Sequence, residues 1–316
     1  ALRNIGLMMS KPVAMHDSLS TIKRIQAFLR PEITALKAYP VHDASGLIKL
    51  DAMENPYALP DEITHAWLHR LKACSLNRYP DPSCQALIDK LRSVMCIDAQ
   101  FDILLGNGSD ELIQLLCMAV AKPGASILAP EPSFVMYEMI ARFCAVSYIS
   151  IPLTSDFQLD KAAMLKAIAK NHPAIVFISS PNNPTGKLFR ADTLQAIIES
   201  APGFVVLDEA FYIFAAEHKL DWLARYPNLL IMRTVSKLGL AGLRLGLLIG
   251  RPQWLQEFNK LRLPYNINTL TQASAEFILD HWQVLQRQTQ DIIRERERML
   301  RELASVKGLR VYPSDA

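Results

Sequence analysis

A single lysine stands in a segment that is otherwise mostly apolar and rich in glycine. The segment covers residues 234–246, reads Thr-Val-Ser-Lys-Leu-Gly-Leu-Ala-Gly-Leu-Arg-Leu-Gly, and has Lys237 and Arg244 as its charged residues. An apolar environment lowers the pKa of a lysine, and a neutral amine can attack a carbonyl carbon. Taken alone, Lys237 also fits an ordinary surface lysine in a loop, so its significance depends on what other segments place beside it.

Two further segments have residue types that could hold a planar, phosphorylated ligand. Residues 106–111 read Gly-Asn-Gly-Ser-Asp-Glu between a predicted strand and a predicted helix, where glycines and free N–H groups can approach a phosphate. The simpler interpretation is a helix start capped by Ser109 or Asp110. Phe134 follows another predicted strand and could stack on a ring, although a core phenylalanine is the simpler interpretation of it alone.

Amides and a carboxylate follow two other predicted strands. Residues 180–186 read Ser-Pro-Asn-Asn-Pro-Thr-Gly and place two adjacent amides on a backbone that prolines and glycine make irregular. Asp208 ends the apolar run 205–207, and a buried acid there needs a cation or a strong donor. A helix cap or an ion pair would also satisfy Asp208.

Short apolar runs that alternate with amphipathic helices predict how these segments are brought together. Strands that are apolar throughout and separated by helices are typical of a mostly parallel sheet covered on both faces, whose ligand site lies at the carboxyl ends of the strands. We therefore predict an α/β fold with a three-layer α/β/α large domain and a smaller α+β domain built from the two chain ends. The predicted strands are Ile103–Leu105, Ser126–Ala129, Val146–Ile151, Ala174–Ser179, Phe204–Asp208, Leu229–Arg233 and Leu245–Ile249.

The predicted domain boundaries lie near residues 65 and 265. Residues 1–65 form an N-terminal arm and part of the small domain, 66–265 the large domain, and 266–316 the rest of the small domain. Residues 1–50 are predicted to be irregular as far as Ile48. Near the other end we predict a charged helix over Gln283–Ser305 and a short strand over Leu309–Tyr312.

Composition argues against several classes of protein. A net charge of +3 over 316 residues, without a basic patch, does not indicate a nucleic-acid partner, and no apolar run reaches the roughly 18 residues of a membrane span. Five cysteines without a C-x-x-C pair predict reduced, mostly buried thiols in a cytoplasmic protein. His65 and His69 have the spacing of a zinc-binding helix, but Ala66 replaces the glutamate of H-E-x-x-H, so a surface pair is preferred and no metal is expected.

Together the five segments resemble the fold-type I aminotransferases, which carry pyridoxal 5'-phosphate. The resemblance rests on Ser-Pro-Asn-Asn-Pro-Thr-Gly at 180–186, Asp-Glu-Ala at 208–210, and Ser-Lys at 236–237 followed seven residues later by Arg244, in the family's order. It implies that Lys237 binds the cofactor covalently and then moves the substrate proton, and that Asp208 pairs with the ring nitrogen. It further implies that Asn183 bonds the ring hydroxyl, that Phe134 stacks on the ring, and that the phosphate is held by Gly108, Ser109, Asp110, Ser236 and Arg244.

One position departs from the family pattern. After Asp-Glu-Ala the family usually has a tyrosine that bonds the ring oxygen, whereas this chain has Phe211 and then Tyr212. Either that hydrogen bond is missing, or Tyr212 supplies it from a shifted backbone; Tyr212 is therefore kept as a candidate cofactor ligand.

Within this superfamily the chain is most similar to the histidinol-phosphate aminotransferases. The similarity rests on residues 50–57, 77–82, 106–111 and 239–246. It implies transamination between histidinol phosphate and 2-oxoglutarate, giving imidazole-acetol phosphate and glutamate, in histidine biosynthesis. It also implies a homodimer in which Tyr57 reaches the cofactor phosphate of the partner subunit, and a place near the substrate for Tyr39 and Asn183.

Other functions remain open at this point. An aromatic aminotransferase or a threonine-phosphate decarboxylase would share every cofactor residue. A transcription regulator with an aminotransferase-like half would need a DNA-binding domain, for which residues 1–40 are too few and too irregular. Family members continue past residues 311–314 to an arginine that binds the substrate's acidic group, so we expect that the chain ending at Ala316 is cut short.

Overall fold

The computed structural model describes residues 15–316. Residues 1–14 of the predicted N-terminal arm lie outside this range. The chain divides into two compact units, residues 1–45 and 46–316. The boundaries predicted near residues 65 and 265 stay predictions.

The first unit contains two helices, α1 (Met15–Phe28) and α2 (Pro31–Thr34). The prediction that this region is irregular is therefore wrong for α1. Ile22 and Ile25 of α1, with Leu29 just past its end, follow one another at intervals of three and four residues, which is a helical spacing.

The second unit is built on one seven-stranded sheet in the order β1-β7-β6-β5-β4-β2-β3. Only β7 runs antiparallel to its neighbours, so the predicted mostly parallel sheet is confirmed. All seven predicted strands form. Their bounds are β1 (Asp102–Asn107), β2 (Ser126–Glu131), β3 (Ser147–Pro152), β4 (Ile175–Ser179), β5 (Phe204–Asp208), β6 (Leu229–Thr234) and β7 (Leu245–Gly250).

Apolar cores cover both faces of this sheet. Successive side chains of a strand point to opposite faces, and accordingly Ile103 and Leu105 join one core cluster while Leu104 joins the other. Strands β4 to β7 are buried along their whole length, as a sheet with helices on both faces requires. The three-layer α/β/α arrangement predicted from the sequence is thus confirmed.

The second unit contains ten α-helices within the described residues. Two of them start at capping residues: the side chain of Asp160 accepts from Ala163 N–H at 2.9 Å and that of Asn268 from Thr271 N–H at 2.9 Å. The bounds are α3 (Asp61–Lys72), α4 (Gln85–Val94), α5 (Gly108–Val120), α6 (Met136–Phe143), α7 (Lys161–Asn171), α8 (Ala191–Ser200), α9 (Trp222–Arg225), α10 (Pro252–Asn259), α11 (Thr269–Leu279) and α12 (Trp282–Ala304).

The chain end differs from the prediction. The charged helix α12 forms as expected, but residues 309–312 are not a strand. A strand needs a neighbour that pairs with its backbone, and every strand of the described residues belongs to the seven-stranded sheet. The segment continues instead to Asp315, whose N–H donates to the carbonyl of Gly186 at 2.7 Å.

The cysteines agree with the prediction in one respect only. All five are free thiols, but Cys84 and Cys117 alone are buried, Cys74 and Cys144 are half-buried, and Cys96 is exposed. The prediction that most of them are buried is wrong, because Cys74, Cys96 and Cys144 lie just past the ends of α3, α4 and α6 rather than on packed helix faces.

Residues 15–316 lack the features of a membrane span and of a metal site. Within this range no helix is long and apolar enough to cross a membrane. The same residues contain no group of three or more side chains arranged to hold a metal ion.

The register of the sheet brings the polar loops to one edge. Ser179 at the end of β4 lies beside Asp208 at the end of β5, and Asp208 lies beside Met232 near the end of β6. Because β7 is antiparallel, its first residue, Leu245, pairs with Asn107 at the end of β1. The loops that follow β1, β4, β5 and β6 therefore open onto the same region.

Candidate active site

A cavity of about 390 Å³ lies at this edge of the sheet. We call it the strand-end cavity. Segments that are far apart in the sequence line it, and most of the residues predicted to hold the cofactor are among them. Its lining residues are Ala52, Glu54, Ser109, Asp110, Phe134, Ser179, Asn183, Asp208, Ala210, Phe211, Thr234, Ser236, Lys237, Ala241, Gly242 and Arg244.

Lys237 occupies the short 3₁₀ turn that follows β6 and is half-buried. Its Nζ donates to the carbonyl oxygens of Ala52 at 2.7 Å and Met53 at 3.2 Å, and lies 5.3 Å from the centre of the Phe211 ring. Burial lowers the pKa of Lys237, against the opposing attraction of Glu54. The predicted apolar setting is thus present, and it favours the neutral, nucleophilic amine.

Asp208 ends β5 and is fully enclosed apart from the cavity. Its Oδ2 accepts from the Tyr137 hydroxyl at 2.7 Å and its Oδ1 from the Ala210 N–H at 3.0 Å. Burial raises the pKa of Asp208 to about 6, although both hydrogen bonds act to lower it. A cation that faced this carboxylate from the cavity would stabilise its ionised form.

Another part of the cavity wall is suited to an anion. Helix α5 begins there, and the N–H groups of a first helical turn have no partner within the helix. Gly108 has a φ of 77°, and a Cβ at this position would stand 2.5 Å from Nη2 of Arg244. Only glycine leaves the room that Arg244 occupies. Arg244 in turn is paired with Asp110 at 2.9 Å.

In the loop after β4, the side-chain amides of Asn182 and Asn183 have different surroundings. Asn182 is buried and fixes the loop, because its Nδ2 donates to Pro132 O at 3.1 Å and its Oδ1 accepts from the Ser133 hydroxyl at 2.9 Å. Asn183 lines the cavity instead. Phe134, on the neighbouring loop, lines the cavity as well and lies edge-on to Tyr137, with 5.6 Å between ring centres.

The structure places the Tyr212 side chain outside the cavity. Phe211 lines the cavity and Tyr212 does not. The chain enters a 3₁₀ turn at Tyr212, where consecutive side chains diverge by about 120°. The Tyr212 ring therefore turns away and lies on the guanidinium of Arg233, with 3.8 Å between Cζ and the ring centre. Among the described residues its hydroxyl has no hydrogen-bond partner.

Sequence reasoning missed two features that support the cavity. One is Tyr137, the donor to Asp208; its position one helical turn after Phe134 is a signal that could have found it. The other is the buried pair of Glu209 and Arg233, joined at 2.7 Å. Nothing in the sequence distinguishes Arg233 from an exposed arginine except its place inside an apolar strand.

Besides Tyr212, the predicted residues Gly108, Tyr57 and Tyr39 are not among the lining residues, although Gly108 lies directly beside Arg244. Tyr57 is exposed, and its backbone N–H donates to Asn55 Oδ1 at 2.9 Å. Tyr39 belongs to the unit 1–45, where its side chain is exposed. The roles predicted for Tyr57 toward a partner subunit and for Tyr39 toward the substrate stay predictions.

The groups that line the cavity fit pyridoxal phosphate. The cofactor has an aldehyde, a ring nitrogen that is basic, a ring hydroxyl and a phosphate. The cavity presents a partly desolvated amine, a buried carboxylate, an amide and an arginine beside a helix N-terminus. A Cβ at position 108 would collide with Arg244, so the glycine is an independent sign that this part of the wall leaves room for a close contact.

Comparisons with known proteins agree with this assignment. The model of the family "Aminotransferase class I and II" matches residues 45–316. Histidinol-phosphate aminotransferase 2 of Nitrosococcus oceani is 52% identical over 94% of this chain and 82% of its own length. Histidinol-phosphate aminotransferase 1 of Burkholderia lata is 51% identical over 92% of this chain and 81% of its own.

A solved structure shows the same fold. The histidinol-phosphate aminotransferase of Sinorhizobium meliloti, in complex with pyridoxal-5'-phosphate, superposes with a TM-score of 0.80 over 92% of this chain and 81% of its own, at 24% identity. The resemblance found in the sequence motifs is thereby confirmed, and small-molecule substrates follow from it. The family match covers every residue that lines the strand-end cavity, and the two relatives are about half identical over most of their length. The chain therefore belongs to the class I and II aminotransferases.

Proposed function

We propose that the chain is a pyridoxal-phosphate-dependent transaminase that acts on histidinol phosphate, with 2-oxoglutarate as the amino acceptor. The observation that carries this proposal is the convergence of Lys237, Asp208 and Arg244 on one cavity. The substrate is inferred from the names of relatives about 50% identical over most of the chain. The acceptor is inferred from the family resemblance alone.

Lys237 would hold the cofactor covalently and then move the substrate proton. Its partial burial supports both tasks, because the lowered pKa increases the share of neutral amine available as a nucleophile and as a base. When bound, the cofactor supplies an electron sink for the pair left at the substrate carbon. The Phe211 ring, whose centre lies 5.3 Å from the amine, would limit water on that side.

The remaining residues would bind and orient. Asp208 would hold the ring nitrogen in its protonated form, Asn183 would bond the ring hydroxyl, and Phe134 would stack on the ring face. Arg244 would bind phosphate oxygens through its planar donor fork, with Ser109, Ser236 and the first N–H groups of α5 beside it. The Asp110 carboxylate, which pairs with Arg244, would orient the guanidinium rather than touch the phosphate.

We also propose that two copies of the chain form a homodimer. Leu76, Tyr79 and Leu263 are 73%, 81% and 72% exposed, and the rings of Tyr79 and Tyr265 stack at 4.5 Å. Exposed apolar side chains in one place are typical of an interface. This surface adjoins the anion-binding wall, because Asn107 Nδ2 donates to Asn266 O at 2.8 Å. The role of Tyr57 toward the phosphate of a second copy is inferred from the family resemblance.

Complementation between subunits tests this arrangement. Tyr57→Ala and Lys237→Ala chains, each inactive or nearly so, would be unfolded together and refolded. If Tyr57 acts across the interface, each mixed dimer contains one intact site of two and should have about half of the wild-type activity, which is about a quarter over a randomly mixed preparation. Sedimentation as a monomer, or no recovery beyond the separate variants, would contradict the proposal.

The compartment is inferred from the cysteines. All five thiols are free, which supports a reducing environment, and we propose the cytoplasm.

Half-reaction spectra test the substrate assignment. Addition of histidinol phosphate to the protein loaded with pyridoxal phosphate should shift its visible absorption band, and 2-oxoglutarate should restore it. Lys237→Ala should abolish the cycle, whereas Lys260→Ala, which changes an exposed lysine paired with Glu257, should leave it unchanged. A response to phenylalanine or threonine phosphate but not to histidinol phosphate would assign the chain to an aromatic aminotransferase or a threonine-phosphate decarboxylase.

A further inference from the structure

We propose that Tyr137 is a positioning residue that fixes the Asp208 carboxylate toward the cavity and holds it in its ionised form. This inference rests on the proposed function, in which Asp208 faces the ring nitrogen of the cofactor. Tyr137 does not itself line the strand-end cavity, so it can act on the cofactor only through another group.

The Tyr137 ring is locked in place. It lies on α6, is completely buried, and stacks on Phe177 with 4.7 Å between ring centres and 7° between ring planes. The edge-on contact with Phe134 closes another side. A ring held on two sides can place its hydroxyl oxygen in only one position, and that position is 2.7 Å from Asp208 Oδ2.

Two donors from different elements therefore set the plane of the Asp208 carboxylate. The Tyr137 hydroxyl binds Oδ2 from helix α6, and the Ala210 N–H binds Oδ1 from the segment after β5. Each carboxylate oxygen can accept about two hydrogen bonds. One acceptor site per oxygen stays available, and the carboxylate lines the cavity, so it can present these sites to a bound ligand.

The hydrogen bond from Tyr137 also favours the ionised form of Asp208. Burial alone favours the neutral acid and raises the pKa of Asp208, and the bond from Tyr137 is the largest influence that lowers it. Burial and the neighbouring carboxylate raise the pKa of Tyr137 well above its ordinary value. The phenol thus stays protonated and donates to the ionised carboxylate. Without the Tyr137 hydroxyl, the buried Asp208 carboxylate would keep the Ala210 N–H as its single donor.

The change Tyr137→Phe separates this role from a packing role. It removes one oxygen and keeps the stacked ring against Phe177 and Phe134. A matched control is Tyr148→Phe, since Tyr148 is a partly buried tyrosine on β3 that packs against the same core cluster. Asp208→Asn and the double variant Tyr137→Phe/Asp208→Asn complete the set.

The measurement is the dissociation constant of pyridoxal phosphate for each cofactor-free protein, by equilibrium dialysis, alongside the urea midpoint without cofactor. A hydrogen bond to a charged group corresponds to about a 10- to 100-fold change in a binding constant. We expect Tyr137→Phe to weaken binding by about that factor in the wild-type background. In the Asp208→Asn background the same change should weaken it less than about 2-fold. Tyr148→Phe should leave the constant unchanged.

Equal weakening in both backgrounds would mean that Tyr137 only supports the fold, and unchanged binding by Tyr137→Phe would mean that its hydroxyl is dispensable. Either result would overturn the inference while wild type still binds the cofactor. If wild type itself does not bind pyridoxal phosphate, the proposed function fails first and the inference falls with it. If Tyr137→Phe shows a lowered urea midpoint, the comparison of the two backgrounds still separates the roles, because a packing defect weakens both alike.

Discussion

At the scale of single residues, the site places an ionisable carboxylate at a buried position, where burial disfavours the charged form. Asp208 is enclosed by the sheet, and its pKa of about 6 is higher than the 3.8 of an exposed aspartate. The folded protein without cofactor therefore binds a proton at Asp208 more tightly than the unfolded chain does. Stability from this group is fully present below pH 3.8 and is lost as the pH rises through about 6.

Asp208→Asn should accordingly stabilise the cofactor-free protein at neutral pH. An amide carries no charge to desolvate, and the Tyr137 hydroxyl can rotate to accept from it. We expect the free energy of unfolding to rise by on the order of 1–3 kcal/mol at pH 8, with the advantage shrinking toward pH 4. Urea titrations of both proteins between pH 4 and pH 8 measure this, with the exposed Asp221→Asn as control. A variant no more stable than wild type at pH 8 would show that the charge is tolerated.

Single positions were predictable where the chemistry needs one residue type. Lys237, Asp208, Asn183 and Arg244 lie in segments that adjoin apolar strands, and the structure brings all four to the cavity. The sequence left two alternatives open for Tyr212, because the direction of a side chain after Phe211 depends on a local 3₁₀ turn. Sequence patterns do not show where such a turn begins.

At the scale of elements, the catalytic strands β5 and β6 are joined by a buried ion pair at their carboxyl ends. Both Nε and Nη2 of Arg233 donate to Glu209 Oε2, at 2.9 Å and 2.7 Å, and the Lys219 N–H donates to Oε1. Each member of the pair follows or precedes a site residue directly, since Glu209 is next to Asp208 and Arg233 is next to Thr234. The pair thus ties together the two strand ends that carry the site.

Arg233→Met should be strongly destabilising. It leaves Glu209 charged and buried without its partner, at a cost of about 3–5 kcal/mol in the free energy of unfolding. The double variant Glu209→Leu/Arg233→Met removes both charges and should lose clearly less than the sum of the single changes. Urea unfolding of the single and double variants measures the coupling, and Lys260→Met at the exposed pair with Glu257 should change stability by less than about 1 kcal/mol. Additive losses would contradict a coupled pair.

The start of α5 gives a second test at this scale. Gly108→Ala places a Cβ at a φ of 77° and within 2.5 Å of Arg244 Nη2, so it should displace the guanidinium and weaken binding of pyridoxal phosphate by about 10-fold or more. Gly124→Ala is the matched control, since Gly124 has a φ of 81° but open space around it. Both should lose about 1 kcal/mol of stability through backbone strain, and only Gly108→Ala should lose affinity. Equal affinities would rule out a phosphate at this wall.

Elements were predictable to the extent that their periodicity is visible. The buried strands β4 to β7 are continuous apolar runs, and each formed within one residue of its predicted ends. The predicted strand over 309–312 did not form, because strand formation depends on a neighbour that a single sequence does not specify. Helix α1 was missed because its polar residues obscured the spacing of Ile22, Ile25 and Leu29.

At the scale of the whole molecule, a sheet with one antiparallel strand gathers the ends of β1, β4, β5 and β6 around one cavity. Alternating strands and helices predicted that architecture, and the motif order predicted the family to which the chain belongs. The proposed homodimer does not follow from the fold of one chain, because Tyr57 would complete a site on another copy. Its support here is the exposed surface around Tyr79 and Leu263, which no pattern in the sequence marks as an interface.

The most direct test of the account is to find which lysine binds pyridoxal phosphate. The loaded protein would be reduced with borohydride, digested, and analysed by mass spectrometry. We predict one pyridoxyl-phosphate group per chain, on the peptide that contains Lys237, and none on the Lys237→Ala protein. Labelling of another lysine in wild type, or no labelling at all, would contradict it.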